Sequence, residues 1–284
     1  MLGLINPKAG SSEPLDTVRE KFLARGFEGT FVEPTDPDDA NRLVRLHRGE
    51  VDAIVVGGGD GSIAAILPSV LEAGLPIAVL PYGTANDFAR TLDLPKDVDA
   101  VCAMLTASHT RRIDVGRIGE RYFINTVAGG LPAQAASRLT ADLKHKLGMF
   151  AAISLIPTLL RTRRATYVTV RGESIEFQAH CTALLIGNGR YTGGVPVRYE
   201  NMDDGRLHLT ICRAQSLPEL MSVALSALLG RLPADWNVIE RTSPWFEIET
   251  ARSFDLAVDG DVVARAPARA SVLPGALEVF AQQA

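Results

Sequence analysis

Asp60 stands inside a run of glycines, Gly57-Gly58-Gly59-Asp60-Gly61-Ser62, directly after the apolar pair Val55-Val56. Glycine has no Cβ, so backbone here can turn sharply and come close to a bulky ligand. Unpaired N–H groups in such a turn, and at the start of the helix-like pattern that follows, attract phosphate oxygens. A carboxylate in the same turn repels phosphate unless a divalent cation lies between them. Asp60 therefore points to Mg²⁺, which takes hard oxygen ligands and keeps several waters. The other reading is a tight strand-to-helix turn with Asp60 as a cap, and this motif alone leaves both open. In the metal reading Asp60 is a surface-turn carboxylate whose removal costs the fold little.

Two more turns of this kind follow apolar runs. Asn6-Pro7-Lys8-Ala9-Gly10 comes after "LGLIN", and Pro81–Arg90, "PYGTANDFAR", comes after "PIAVLP". Each is ordinary turn chemistry by itself. The elements around them give the three a common position. Strand-like runs at Leu2–Asn6, Gly29–Glu33, Asp52–Gly58 and Pro76–Pro81 alternate with helical patterns at Leu15–Arg25, Asp38–Arg48, Ile63–Glu72 and Ala85–Leu92. Asp36 or Asp38 can cap the second helix, and Gly26 and Gly49 can stop the first two. Alternation of this kind predicts a parallel sheet covered by helices. Ligands of such sheets bind outside the carboxyl ends of the strands, where all three turns would lie.

After "RRIDVGRIGERYFINTVAGG" the pattern changes to short strand-like runs separated by turns, from "TYVTVRG" through "RLHLTICR", "WFEIET" and "FDLAVDGDVV" to "LEVF". This predicts a mostly antiparallel β domain. One helix interrupts it, opened by a Ser216–Glu219 capping box. The expected fold is an α/β N-terminal domain with a parallel sheet over residues 1–122. A β-rich C-terminal domain follows over residues 123–284, its last segment free to pack back on the first.

The chain has 284 residues, 46% hydrophobic and 22% charged, with a net charge of −4. That balance is globular and speaks against a broad nucleic-acid surface. Three scattered cysteines and five histidines show no zinc or HExxH spacing and suit a reducing compartment. The start, "MLGLINPKAG", lacks the pattern of a signal peptide, and no apolar run reaches the ~18 residues of a membrane span. A cytoplasmic address is expected. Asp142–Arg164 carries an apolar core between Lys144, Lys146, Arg161, Arg163 and Arg164. It reads as a core or linker helix, or as a segment that docks on an anionic lipid surface.

"NPKAG", "GGGDGS" and "PYGTANDFA", in this order and spacing, resemble the catalytic domain of diacylglycerol kinases, and most nearly the bacterial lipid kinases of that family. The resemblance continues through "RRIDVG", "LIGNGRYTGG", "NMDDGRLHL" and "VDGD", so it covers nearly the whole chain. It implies an ATP-dependent lipid kinase that phosphorylates the hydroxyl of a diacylglycerol-like lipid at a membrane surface, peripheral to its inner face. It also implies a domain pair like that of NAD kinases, with ATP and Mg²⁺ as cofactors and no nucleic-acid partner, and leaves a homodimer open. A soluble-substrate kinase of NAD kinase type and a catalytically silent lipid- or nucleotide-binding relative are the alternatives.

Carried over by motif, the resemblance assigns nucleotide contacts to Asn6, Pro7, Lys8, Ala9 and Gly10, and to Gly58, Gly59, Asp60, Gly61, Ser62, Ile63 and Ala64. Gly83, Thr84, Asn86 and Asp87 of the third turn join them, with Thr35 of "EPTDPDDA". Asp60, Asp87 and Asp114 match acidic positions near a catalytic Mg²⁺. The "NMDDGRLHL" turn matches a structural Mg²⁺ site with a carboxylate from Asp204 and backbone carbonyls from Asn201 and Arg206; its bland reading is a hairpin turn. The family's catalytic base is a Glu in an Asp-Gly-Glu turn. Here the turn is Asp259-Gly260-Asp261, so Asp261 is the candidate base, its carboxylate set back by about 1.5 Å, roughly one C–C bond. Ser62 replaces the usual Thr, and Ala9 stands where Ser is frequent.

Overall fold

Four short apolar runs form the parallel sheet that the alternation predicts. They are β1 (Leu2–Ile5), β2 (Thr30–Val32), β3 (Ile54–Gly58) and β4 (Ile77–Pro81), in the spatial order β2-β1-β3-β4. Leu2 pairs with Thr30, Leu4 with Val56, and Val56 with Val79, all in parallel register. Every residue of β1, β3 and β4 is buried, as expected of a sheet covered on both faces. The computed structural model describes residues 1–138, 166–192, 195–196, 202–228 and 237–282. The chain divides into two compact units, Met1–Ile113 with Gly275–Ala284, and Asp114–Pro274.

In the first unit, α1 (Leu15–Leu23) places Phe22 against Phe27 and Phe31, with ring centroids 6.2 and 5.1 Å away. Phe22 is fully buried, so truncation to Ala removes about 3–5 kcal/mol. Asp36, not Asp38, caps α2 (Pro37–Leu46), accepting the Asp39 N–H at 2.9 Å. Helix α3 (Asp60–Ala73) begins at Asp60, three residues before its apolar periodicity starts, because the extended Gly59 supplies the N-cap. Pro68 lies inside α3 and leaves a gap in its hydrogen-bond ladder. Asn41 of α2 bridges the neighbouring rung, donating to the Ala65 carbonyl at 2.6 Å and accepting the Ser69 N–H at 3.3 Å. Two short helices follow β4, α4 (Asp87–Thr91) and α5 (Val98–Ala107). The last strand of the chain adds to this sheet, with Val279 parallel to Ile77.

The strand β5 (Thr110–Ile118) carries the chain into the second unit, an antiparallel β-sandwich. One layer has the order β14-β13-β10-β7-β16-β17. Its strands are β7 (Thr126–Gly130), β10 (Ala183–Gly187), β13 (Leu207–Cys212), β14 (Val238–Ser243), β16 (Phe254–Val258) and β17 (Asp261–Ala266). Facing it are β8 (Thr166–Gly172), β9 (Ile175–Cys181), β15 (Trp245–Thr250) and the first half of β18 (Ala268–Phe280). Phe123, Val127, Val168, Leu184, Phe246 and Leu256 meet in the core between them. The capping box forms as expected at the helix Leu217–Leu228. Glu219 accepts the Ser216 N–H at 3.1 Å, and Ser216 accepts the Glu219 N–H at 3.4 Å. All three cysteines are buried thiols. Among the described residues no helix is long and apolar enough to cross a membrane. The segment Asp142–Arg164 and Asn201 lie outside the described residues.

Candidate active site

The three turns of the first unit leave the same edge of the parallel sheet and are stitched to one another. Asn6, just past β1, donates from Nδ2 to the Ser62 hydroxyl in α3 at 3.0 Å, and its Oδ1 accepts the Lys8 N–H at 3.0 Å. This bond holds the Pro7–Gly10 turn beside the first turn of α3. Ser11 donates its N–H and its hydroxyl to the Tyr82 carbonyl, at 3.0 and 3.1 Å. The Gly59 and Gly83 backbones touch: a Cβ on Gly59 would lie 3.0 Å from the Gly83 Cα, and one on Gly83 would lie 2.7 Å from Asn86 Oδ1. Glycine at both positions is a packing requirement. Gly61 differs, since a Cβ there would meet nothing within 4 Å.

Asp60 joins the second turn to the third. Its two carboxylate oxygens accept the N–H groups of Asp87 and Phe88, at 3.0 and 2.8 Å. It thereby caps α4, whose own N-cap residue, Asn86, has φ +48 and makes no side-chain cap bond. The expectation that Asp60 can be removed at little cost to the fold is corrected by these bonds. Asn86 instead donates from Nδ2 to the carbonyls of Pro81 and Gly83, at 2.9 and 2.7 Å. Asp87 is buried, with Arg90 3.9 Å away, and Thr84 is exposed. Ile63 is buried in the core, so only its backbone is available to a ligand.

Thr35 takes its bonds from its own turn. Its N–H lies 3.1 Å from Asp39 Oδ2, and its hydroxyl lies 3.3 Å from Asp36 Oδ2. That Thr35 amide, with Arg42 beside it, holds the Asp39 carboxyl below the usual carboxylate range. Tyr82, at the head of the third turn, is 4% exposed, and its hydroxyl has no partner among the described residues. Burial, reinforced by Glu13, pushes its phenol up to about 12, so it stays neutral.

In the second unit, Asp114 is buried and reaches the turn before β13. Its N–H donates to the Met202 carbonyl at 2.6 Å, and its Oδ2 accepts the Gly205 N–H at 2.7 Å. Within that turn Asp204 Oδ1 accepts the Arg206 N–H at 2.9 Å, and Oδ2 lies 3.3 Å from His208 Nε2. Burial lowers the His208 pKa, and Asp204 opposes that shift.

Asp261 opens β17, an edge strand, with its side chain exposed. Two residues earlier, Asp259 accepts the N–H groups of Ile124, Asn125 and Thr126 at 2.9, 3.0 and 2.8 Å. Asn188 of the "GNG" segment grips the carbonyl side of the same stretch. It is 1% exposed, its N–H donates to the Asn125 carbonyl at 2.8 Å, and its Nδ2 donates to the Asp114 and Ile124 carbonyls at 2.8 and 3.3 Å. Asp114, Asn188 and Asp259 thus belong to one hydrogen-bonded network. The motif reading singles out neither Asn188 nor Asp259, although their "GNG" and "DGD" settings were the available signal.

Comparison with known proteins places both units. Residues 1–118 match the family described as "Diacylglycerol kinase catalytic domain", and residues 125–281 match the "YegS C-terminal NAD kinase beta sandwich-like domain". A Pseudomonas aeruginosa protein named "Probable lipid kinase YegS-like" is 35% identical over 98% of this chain and 93% of its own. The chain belongs to the YegS-like lipid kinase family. It is therefore a kinase, a phosphotransferase. A second YegS-like relative, from Pseudomonas savastanoi pv. phaseolicola, is 32% identical over 98% of this chain and 92% of its own. A crystal structure described as a diacylglycerol kinase from Bacillus anthracis str. Sterne has the same fold, with a TM-score of 0.81 at 24% identity. The superposition covers 99% of this chain and 96% of that one.

Proposed function

We propose that this YegS-like kinase transfers the γ-phosphate of ATP to the hydroxyl of a diacylglycerol-like lipid at a membrane surface. The observation that carries the lipid reading is the setting of Asp261. Its exposed carboxylate is followed on the same edge strand by Val262 and Val263, 39% and 41% exposed. A carboxylate beside exposed apolar surface suits an acceptor whose hydroxyl adjoins hydrocarbon better than it suits a wholly polar one. Asp261 takes the proton of the attacking hydroxyl as general base.

The nucleotide reading rests on the three stitched turns. They offer backbone N–H groups at the start of α3 and an open position at Gly61, which a Cβ would fill. Asn6, Lys8 and Ser62 border the same ground, Lys8 as a positive charge for phosphate. Among the described residues no group of three or more His, Cys, Asp or Glu is placed to hold a metal. An ion at Asp60 would therefore draw further ligands from phosphate oxygens and water, the usual manner of Mg²⁺. Each Asp60 oxygen accepts a backbone N–H, from Asp87 and from Phe88, which fixes the carboxylate beside the start of α3. Mg²⁺ bound there would neutralise charge on the transferring phosphate.

Labelled ATP supplied with a diacylglycerol, a lipid extract and NAD in parallel tests the proposal. Label in the diacylglycerol product supports it. Label in NAD, or in a lipid of another class alone, overturns the acceptor assignment.

A further inference from the structure

Asp261 is exposed, and among the described residues its side chain makes no hydrogen bond. Its carboxylate is therefore aimed by the backbone turn that carries it. That turn joins β16 to β17, whose closing pair is Val258 and Asp261. Asp259 and Gly260 form its tip, with φ +44 and +96. Two successive residues with positive φ are the mark of a tight hairpin, and Asp-Gly is a common solution. In an ordinary surface hairpin the Asp carboxylate faces water. Here it turns back onto the stretch that leads into β7.

The Asp259 carboxylate takes three consecutive N–H groups, from Ile124, Asn125 and Thr126, and its own N–H donates to the Thr126 carbonyl at 2.8 Å. Charge-assisted bonds of this kind are about twice as strong as neutral ones. The receiving stretch is itself fixed, because the buried Asn188 holds the Asn125 and Ile124 carbonyls from the other side. Next to the turn, Val258 pairs with Val127. The tip of the hairpin is tied at four hydrogen bonds, all within two residues of Asp261.

We infer that Asp259 is a positioning residue that sets where the Asp261 carboxylate stands. This rests on Asp261 being the general base. A shift of about 1 Å at a reacting group can cost about 10²-fold in rate. Asp259→Asn keeps an acceptor oxygen but turns an N–H toward a donor, so it loosens the anchor without emptying it.

A double-mutant cycle on the full chain, with lipid acceptor and ATP, tests this. Asp259→Asn is expected to lower kcat by about 10–10²-fold and to leave the KM for ATP within twofold. In an Asp261→Asn background it is expected to lower kcat no further, because it acts through that carboxylate. If Asp261→Asn is impaired and Asp259→Asn lowers the double variant by its full single-variant factor, the positioning role is wrong while the base stands. If Asp261→Asn keeps wild-type turnover, the base reading falls and the positioning role falls with it. Asp259→Gly, which accepts φ +44, keeps the backbone bond to Thr126 and removes the three carboxylate bonds, gives the same cycle if the Asn variant folds poorly.

Discussion

The backbone N–H of Phe88, 28 residues along the chain, donates to the Asp60 carboxylate at 2.8 Å. With the bond to Asp87 it makes one side chain both the acid of the glycine-rich turn and the cap of α4. Asp60→Ala should therefore lower stability by about 1–2 kcal/mol, the scale of a lost helix cap. Asp60→Asn retains one acceptor and should recover part of that. Turnover should fall at least about 10²-fold in both, the scale of one lost transition-state charge contact. Urea melts read beside a turnover assay check this. Activity recovering together with stability in the Asn variant would leave Asp60 a cap alone.

Gly61 separates ligand approach from packing. Its Cβ position is open, and no positive φ requires glycine there. Gly61→Ala should raise stability by about 0.5–1 kcal/mol, because glycine inside a helix costs about that much relative to alanine. Nucleotide affinity should nevertheless weaken by roughly tenfold, about 1.4 kcal/mol. Calorimetric titration with ATP checks the second part. Unchanged affinity would mean that no ligand comes close to this residue.

Cys181 gives a pH signature independent of catalysis. Burial, with Cys212 adding, pushes its thiol from 9.0 up to about 12. Between those values the unfolded chain loses the proton and the folded chain keeps it. Fewer protons on the unfolded state means stability falls as pH rises. Urea midpoints should drop from pH 9 upward, and Cys181→Ala should flatten that drop. An equal slope in the variant would assign the alkaline loss elsewhere.

The parallel sheet and the sandwich were legible because their strands carry their own signal. "TYVTVRG" and "WFEIET" become β8 and β15 with the same ends. The Ser216–Glu219 box was equally local. Helix α5 was missed although Val98, Val101, Cys102 and Leu105 stand at helical spacing, because its exposed face carries Ala103 and Ala107 beside Asp99 and Thr106 and so shows little polar contrast. The site divides the same way. The glycine turns are visible as motifs, but the partners of Asp60 lie 27 and 28 residues away, and those of Asp259 lie 133 to 135 away. Local pattern cannot show a carboxylate that folds back across the chain. Asp259 therefore read as half of a turn whose chemistry was given to Asp261.

The proposed reaction is phosphoryl transfer from ATP to a lipid hydroxyl. Mass spectrometry of a diacylglycerol incubated with the protein, Mg²⁺ and ATP tests it most directly, with ADP counted in the same tube. The expected result is one phosphate added to the free hydroxyl for each ADP formed, with both products lost together in Asp261→Asn. ADP formed with the lipid unmodified would contradict it, as would lipid phosphorylation that Asp261→Asn leaves intact.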